Sequence, residues 1–305
     1  MPHKLESLYD NKNIDEKQTL IQSIGIKLQK YIPSNYILKK LTKNVCYNIG
    51  KNKSKKKIKK FIDDTYIDWK LAKKCINDKT VDDCVDKFED LNAFFSRQVD
   101  ESFTDILKIH KTKPLRITSP AECRSRIVNP IEGDKNGLFL IKKIKYSILE
   151  LLDKVGLEWI NIPKSTIIFR LAPKDYHRLH SPIDCIIHNI YDLGDSYYSV
   201  DPLIFESNKK SLQKNIRKVL LVKLKDGTKG ALVIIGATCV SSIIMPKLVN
   251  DKMKKGDYFS HFEFGGSCLM LILNKQVSWN TKLQERSSDN LETYLQPGNW
   301  IGDII

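Results

Sequence analysis

Glycine and proline are scarce in this chain, and no apolar run is long enough to cross a bilayer. The 305 residues include 14 Gly and 11 Pro, which argues against collagen-like or linker-like character. With 41% hydrophobic and 29% charged residues, the chain can bury a core and does not have the composition of a disordered polymer. The longest apolar stretch, residues 231–245, contains polar side chains and is shorter than the ~20 residues of a membrane-spanning helix. We expect neither a transmembrane helix nor, because residues 1–18 are polar, a signal peptide.

The cysteines follow no recognisable metal or disulfide spacing. There are seven of them, an odd number, and no C-x-x-C pair occurs, so a disulfide framework and a zinc site are both poorly supported. The sequence instead favours buried free thiols in a reducing, intracellular compartment, with the protein cytoplasmic or peripheral to a membrane. We expect no bound metal.

Positively charged residues outnumber negatively charged ones in this sequence. Lys and Arg exceed Asp and Glu by 15, which favours an anionic partner such as nucleic acid, an acidic membrane surface or a phosphorylated substrate. Seven lysines lie in residues 51–60, either as an ordinary solvated face or as a patch for anionic headgroups. Nucleic acid is the weaker interpretation, because these lysines lack interleaved aromatic residues and no DNA-binding motif is present.

The hydrophobic pattern changes near residue 115. Apolar residues recur at helical spacing over residues 20–45 and 81–95, with Asp82 and Asp83 in the first turn of the second segment. Beyond residue 115 the pattern predicts strands, and helical spacing returns only over residues 141–152. The predicted strands are residues 166–171, 219–224, 232–235, 261–264 and 269–273. We therefore predict an α+β protein with a helical, basic, membrane-facing region 1–114 and an antiparallel β-rich catalytic domain 115–305.

Three segments concentrate groups able to do chemistry. Residues 176–182 (YHRLHSP) carry His177 and His180, which could also be two ordinary histidines in a hydrated loop. Residues 264–268 (FGGSC) place Ser267 after two glycines, which could simply form a tight turn. Glu122 in residues 119–124 (SPAECR) could be a surface carboxylate. Together Ser267, His180 and Glu122 supply a nucleophile, a base and an orienting acid, although sequence alone does not show that they meet.

The chain also resembles the phosphatidylserine decarboxylases, which are pyruvoyl-dependent enzymes made as self-cleaving proenzymes. The similarity extends in order over roughly residues 86–305. Residues 91–97 (LNAFFSR) resemble the family's F-N-x-F-F-x-R, and residues 119–122 (SPAE) resemble S-P-A-D. The other matching segments are 169–182 (FRLAPKDYHRLHSP), 198–202 (YSVDP), 235–238 (IGAT), 262–267 (FEFGGS) and 291–302 (LETYLQPGNWIG).

The resemblance implies a mechanism. Ser267 attacks the carbonyl carbon of Gly266, with His180 as base and Glu122 orienting it, and the chain is cut between 266 and 267. Ser267 thereby becomes a pyruvoyl cofactor, which forms a Schiff base with phosphatidylserine and releases CO₂ to give phosphatidylethanolamine. By the same resemblance, His177 transfers a proton at the substrate. The implied partners are phosphatidylserine, an anionic membrane surface and the two cleaved chains; a homodimer is left open.

This sequence departs from the family pattern at several positions. The family's acid is usually Asp, and Glu122 is one methylene longer, a difference that can shift a catalytic group by ~1 Å and cost ~10²-fold in rate. Cys268 replaces a Thr or Ser, and Cys123 and Arg124 replace the usual Asp or Ser and Gly. Two alternatives follow: a pyruvoyl-dependent decarboxylase of a free amino acid, and an unprocessed lipid-binding relative.

Overall fold

The computed structural model describes residues 4–7, 13–15, 39–40, 43–44, 47–100, 114–141, 144–200, 211–237, 242–265 and 267–305. Most of the helical pattern predicted over residues 20–45 lies outside these ranges, as does Gly266. The helices are α1 (Tyr47–Gly50), α2 (Lys55–Thr65), α3 (Val81–Asp86), α4 (Leu91–Phe95), α5 (Ile148–Ile160), α6 (Ser211–Lys214) and α7 (Thr281–Ser288), with a 3₁₀ turn at Trp69–Leu71.

The described strands are mostly antiparallel, and the fold is α+β as predicted. They are β1 (Lys4–Ser7), β2 (Asn13–Asp15), β3 (Arg116–Thr118), β4 (Cys123–Ile127), β5 (Leu138–Ile141), β6 (Ile144–Ser147), β7 (Ser165–Leu171), β8 (Arg178–His180), β9 (Cys185–Leu193), β10 (Arg217–Lys223), β11 (Lys229–Gly236), β12 (Ile243–Ile244), β13 (Lys252–Met253), β14 (Tyr258–Phe262), β15 (Ser267–Leu273), β16 (Val277–Trp279), β17 (Thr293–Leu295) and β18 (Trp300–Ile304). Ten of them form one sheet in the order β13-β9-β10-β11-β15-β7-β4-β17-β1-β2. Strands β12-β14-β8 and β16-β18-β3 form two smaller sheets, and β5 pairs with β6.

The large sheet is covered on both faces, and β15 shows why its strands are apolar throughout. Every residue of β15 is buried, and alternate side chains enter two different cores because successive side chains point to opposite faces. Leu269 and Leu271 join a core that includes α2, α3 and α4, whereas Met270 and Ile272 join a core built with α5. Ser267 is in the same alternation as Leu269, so it faces the N-terminal helices.

The N-terminal helices pack on this sheet and share its core. The apolar stripe predicted over residues 81–95 is buried, but it is divided between α3 and α4. Helix α3 begins with a capping box in which Thr80 and Asp83 bond each other's backbone N–H groups, and Asp82 and Asp83 occupy its first turn as predicted. Strands β1 and β2 lie within the region that we predicted to be helical, and both belong to the large sheet.

The lysine-rich segment forms most of α2, an amphipathic helix. Ile58, Phe61 and Ile62 are buried, and lysines occupy the other face. Lys53 and Lys59 pair with Glu89 and Asp82, and Lys55 donates to carbonyl oxygens at the C-terminal end of α3. The exposed lysines with no ion pair to another described residue are Lys56, Lys57 and Lys60. Part of the run therefore serves the fold, and these three lysines face solvent.

One prediction about the cysteines was wrong. Cys75 and Cys84 form a disulfide bond with Cα atoms 5.0 Å apart. The turn before α3 brings the two residues together, a contact that their spacing in the sequence does not reveal. Their sulfur atoms also lie within 4.8 Å of a carboxylate oxygen of Asp78. The remaining described cysteines are buried free thiols, as predicted: Cys123, Cys185 and Cys268.

In the described part of the chain, every helix is too short or too polar to cross a membrane.

Candidate active site

Ser267 begins the central strand β15 and is completely buried. In the register of the sheet it lies between Leu171 of β7 and Gly236 of β11. The turn before it contains Gly265, whose φ of 140° is one that residues with a Cβ rarely adopt. Gly265 therefore permits the turn before the strand, and the alternation of β15 places the serine hydroxyl on the face covered by the N-terminal helices.

The imidazole of His177 meets this hydroxyl. Ser267 Oγ lies 3.4 Å from His177 Nδ1, and His177 Nε2 lies 3.0 Å from the carbonyl oxygen of Ala172. A carbonyl oxygen only accepts, so Nε2 carries the proton and donates it to Ala172, which leaves Nδ1 of the neutral ring as an acceptor for the serine hydroxyl. Burial lowers the pKa of His177 from 6.5 to about 3, so the ring is neutral at physiological pH. His177 therefore has the tautomer and the charge state that a general base requires.

Aromatic rings enclose His177. The ring of Phe95, at the end of α4, stacks on the imidazole with centroids 3.8 Å apart, and Phe262 lies edge-on at 6.4 Å. Phe264 in turn packs edge-to-face on Phe95 at 5.5 Å. These contacts fix the ring plane of the imidazole and exclude water, which is why its charged form is disfavoured.

His180, which we expected to be the base of self-cleavage, has different neighbours. Its Nδ1 lies 2.9 Å from the carbonyl oxygen of Gly256, and its Nε2 lies 3.0 Å from the hydroxyl of Tyr176. Since the carbonyl accepts, Nδ1 is protonated, and in the neutral ring Nε2 accepts a hydrogen bond from the tyrosine hydroxyl. His180 ends strand β8 in a small sheet, whereas His177 precedes that strand, and these two partners of His180 differ from the partners named for His177. The assignment of His180 as base stays a prediction.

The carboxylate of Glu122 accepts hydrogen bonds from two tyrosines. One carboxylate oxygen accepts from the backbone N–H of Tyr176 at 2.9 Å, and the other accepts from the hydroxyl of Tyr294 at 2.6 Å. Tyr176 directly precedes His177, and its hydroxyl contacts His180. Glu122 is therefore connected to both histidines through Tyr176, and its predicted role as the orienting acid of the base stays a prediction.

A buried ion pair, which sequence reasoning missed, holds the turn that contains Ala172 and Asp175. Arg124 and Asp175 are both completely buried and paired, and Asp175 also accepts from the backbone N–H of Ala172 at 2.6 Å. Burial raises the pKa of Asp175 to about 6, although Arg124 opposes that shift. Asp175 thus anchors the residue whose carbonyl oxygen selects the tautomer of His177. Arg124 lies in segment 119–124 and Asp175 in segment 169–182, and these motifs were the available sequence signal for the pair.

Cys268, which follows the serine, is buried and its thiol pKa is raised by that burial. Its side chain belongs to the core on the α5 face of the sheet, opposite Ser267. The thiol is therefore a small packing residue beside the site, with little tendency to ionise.

The sequence of this chain is similar to those of phosphatidylserine decarboxylases. A family profile described as phosphatidylserine decarboxylase matches residues 91–290. The phosphatidylserine decarboxylase proenzyme of Clostridium novyi is 30% identical over 305 residues, covering 98% of this chain and 97% of that protein.

Two eukaryotic relatives are much longer. The phosphatidylserine decarboxylase proenzyme 2 of Komagataella phaffii is 32% identical over 237 residues, which cover 73% of this chain but 22% of that protein. The phosphatidylserine decarboxylase proenzyme 2 of Oryza sativa subsp. japonica is 30% identical over 305 residues, 98% of this chain and 46% of that protein. From the matched profile and the near full-length bacterial relative, the chain belongs to the phosphatidylserine decarboxylase family.

Proposed function

We propose that this chain is a phosphatidylserine decarboxylase proenzyme that cuts its own backbone between Gly266 and Ser267. The observation that carries the proposal is the contact of the Ser267 hydroxyl with the unprotonated Nδ1 of a neutral, buried His177. Family membership supports the reaction and the substrate, because relatives that share the sequence are named for both.

Self-cleavage begins when His177 Nδ1 takes the proton of the Ser267 hydroxyl and Oγ attacks the carbonyl carbon of residue 266. The C–N bond to residue 267 then breaks, its nitrogen receives the proton, and an ester replaces the amide. Loss of the α-proton of residue 267 together with the ester carboxylate leaves a dehydroalanine at this position, and water hydrolyses its imine tautomer to a pyruvoyl group and ammonia. A positioned base contributes ~10²–10⁴-fold to such a proton transfer.

The residues around position 267 fit a pyruvoyl group. The position is a serine after glycine, it is completely buried, and a neutral imidazole within a ring of phenylalanines contacts it. A pyruvoyl ketone supplies a carbonyl for the substrate amine and accepts the electrons released with CO₂. In this enclosed site His177 can return a proton to the substrate, the role that the family resemblance implies for it.

His180 and Glu122 act on this site through Tyr176 in our proposal. The carboxylate of Glu122 holds the backbone of Tyr176, and His180 holds its hydroxyl, so together they fix the residue next to His177. Replacing each histidine by glutamine separates the two assignments of the base. We expect His177→Gln to slow self-cleavage by ~10²–10⁴-fold and His180→Gln to slow it far less; the reverse order would restore His180 as the base.

The experiment that tests the function has two readouts. Mass spectrometry and a denaturing gel should show two chains in the purified protein, the shorter beginning with a pyruvoyl group, and one intact chain of 35.2 kDa in Ser267→Ala. Release of CO₂ is then measured from phosphatidylserine vesicles and from free amino acids. An intact wild-type chain contradicts the proposal, and release from free serine alone favours the decarboxylase of a free amino acid.

We also propose that the protein reaches its substrate as a peripheral membrane protein, through α2. Lys56, Lys57 and Lys60 lie on the exposed face of this helix, and Tyr66, just beyond its end, is 73% exposed. Each lysine near an anionic surface contributes about 1 kcal/mol, so the triple alanine variant should bind vesicles containing anionic lipid about 100-fold more weakly. Lys53→Ala, which removes a lysine paired with Glu89, is the matched control. Equal binding by the triple variant and wild type would contradict a role for this face.

A further inference from the structure

Asn92 connects the N-terminal helices to the turn that ends at the cleavage site. It lies in α4, is only 5% exposed, and its carboxamide oxygen accepts from the backbone N–H of Phe264 at 2.9 Å. Because a backbone N–H can only donate, this contact identifies which end of the carboxamide is oxygen and directs the NH₂ group away from Phe264. The orientation of the side chain is therefore defined.

The NH₂ group of Asn92 has no hydrogen-bond partner among the described residues, although it is buried. Leaving a buried donor unpaired is costly, so such groups are rare in folded proteins and call for an explanation. The acceptor side of the same carboxamide is bound only three residues from Ser267. The unpaired donor belongs to the same carboxamide that holds the turn before the cleavage site.

Gly50 packs closely against the carboxamide of Asn92. A Cβ atom placed on Gly50 would lie 2.8 Å from both Cγ and Nδ2 of Asn92, and closer still to Oδ1. Real Cβ atoms essentially never lie this close to another heavy atom, so only glycine at the end of α1 lets the carboxamide occupy this position. Two helices thus fix the orientation of one buried amide.

We propose that Asn92 positions the cleavage turn through its oxygen and, through its NH₂ group, stabilises the oxyanion of self-cleavage. This inference rests on the proposed function. When Ser267 Oγ bonds to the carbonyl carbon of residue 266, the carbonyl π electrons move to its oxygen and the hydroxyl proton moves to His177. An N–H donor stabilises that oxygen until the C–N bond breaks and the carbonyl re-forms. Loss of one such donor typically slows a reaction by ~10²–10³-fold.

The test follows conversion of the full-length chain, made by pulsed cell-free translation, into two chains on denaturing gels. Asn92→Ala should slow conversion by ~10²–10³-fold. Asn92→Asp keeps an oxygen for Phe264 but loses the NH₂ donor, so it should also be slow near neutral pH. It should recover as the pH falls, because a protonated carboxyl group can donate. A merely structural role would give no such pH dependence.

Gly50→Ala perturbs the same contact while keeping Asn92. It should slow conversion, and adding Asn92→Ala to it should cause no further loss, because both changes affect one contact. The matched control is Asn280→Ala, whose carboxamide also accepts from a backbone N–H, that of Leu283 at the start of α7. It should convert at the wild-type rate.

Folding and function are separated by two further controls. Thermal melting of each variant in a Ser267→Ala background identifies variants that fail to fold, and Gly50→Ala provides the test if Asn92→Ala is one of them. Wild-type conversion in Asn92→Ala or Gly50→Ala, or an Asn92→Asp profile as flat as that of wild type, overturns the inference. If the wild-type chain itself never converts, the proposed function fails and not the role of Asn92 alone.

Discussion

The burial of His177 predicts an unusual pH dependence for self-cleavage. Its pKa is lowered from 6.5 to about 3. A base with the ordinary pKa would be only about 3% neutral at pH 5, and a rate that depends on it would fall about thirtyfold from its value at pH 8. With a pKa about two units below pH 5, about 99% of the ring stays neutral there. The titration of His177 itself should therefore change the rate by less than about twofold between pH 8 and pH 5.

The assay must isolate the first chemical step, because the later elimination and hydrolysis have their own pH dependence. Newly translated full-length chain is transferred to buffers between pH 5 and pH 8, and aliquots are treated with hydroxylamine, which cleaves esters and leaves amides intact. Cleavage at position 267 then reports ester formation, and Ser267→Ala supplies the blank. A thirtyfold decline with a midpoint near pH 6.5 would refute the assignment of the buried His177 as the base.

Three further predictions concern stability. In the unfolded chain His177 takes up a proton below pH 6.5, whereas in the folded chain it does so only at about pH 3. In a Ser267→Ala background, which keeps both proteins uncleaved, the chain with His177 should therefore lose about 1.4 kcal/mol of stability per pH unit between these values relative to His177→Gln. Parallel denaturant midpoints would contradict this. Asp175→Asn removes the carboxylate that pairs with the buried Arg124 and should cost about 3–5 kcal/mol. Asp134→Asn, at a partly exposed carboxylate whose Oδ1 accepts from backbone N–H groups, keeps that acceptor and should cost far less. Equal urea midpoints for the two variants would contradict this. Replacing Cys75 and Cys84 together by serine opens a loop with a sequence separation of 9. The protein should lose about 2–3 kcal/mol of stability, which is measured as a lower melting temperature. An unchanged melting temperature would mean that the disulfide is absent from the native protein.

The central strands were predictable because their sequences are unambiguous. Residues 166–171, 219–224 and 269–273 are short apolar runs bounded by turn residues, and all of their residues except Leu224 lie in strands of the large sheet. Residues 141–152 were predicted as helix, and only their second half is helical. Strand β5 ends at the start of this stretch, and β6 lies within it. Apolar residues such as Ile141 and Ile144, three positions apart, fit a helix as well as a hairpin, so local spacing could not decide between them.

The sequence identified candidate residues for the site but not the contacts between them. The motifs identified Ser267, His177, His180 and Glu122. Which imidazole meets the serine depends on how the chain turns before β8, and the partner that selects the tautomer is a backbone carbonyl of Ala172, which has no side-chain signature. Asn92 was visible only as one letter of a motif, because its role depends on a contact with a residue 172 positions away in the sequence.

The place of β15 in the sheet determines what scission does to the molecule as a whole. The new amino terminus begins a strand hydrogen-bonded on one side to β11 and on the other to β7, with its side chains in both cores. The two products of the proposed self-cleavage would therefore be interleaved subunits whose interface has the character of a protein interior. We expect them to co-migrate on a native sizing column and to separate only in denaturant, as an obligate heterodimer would.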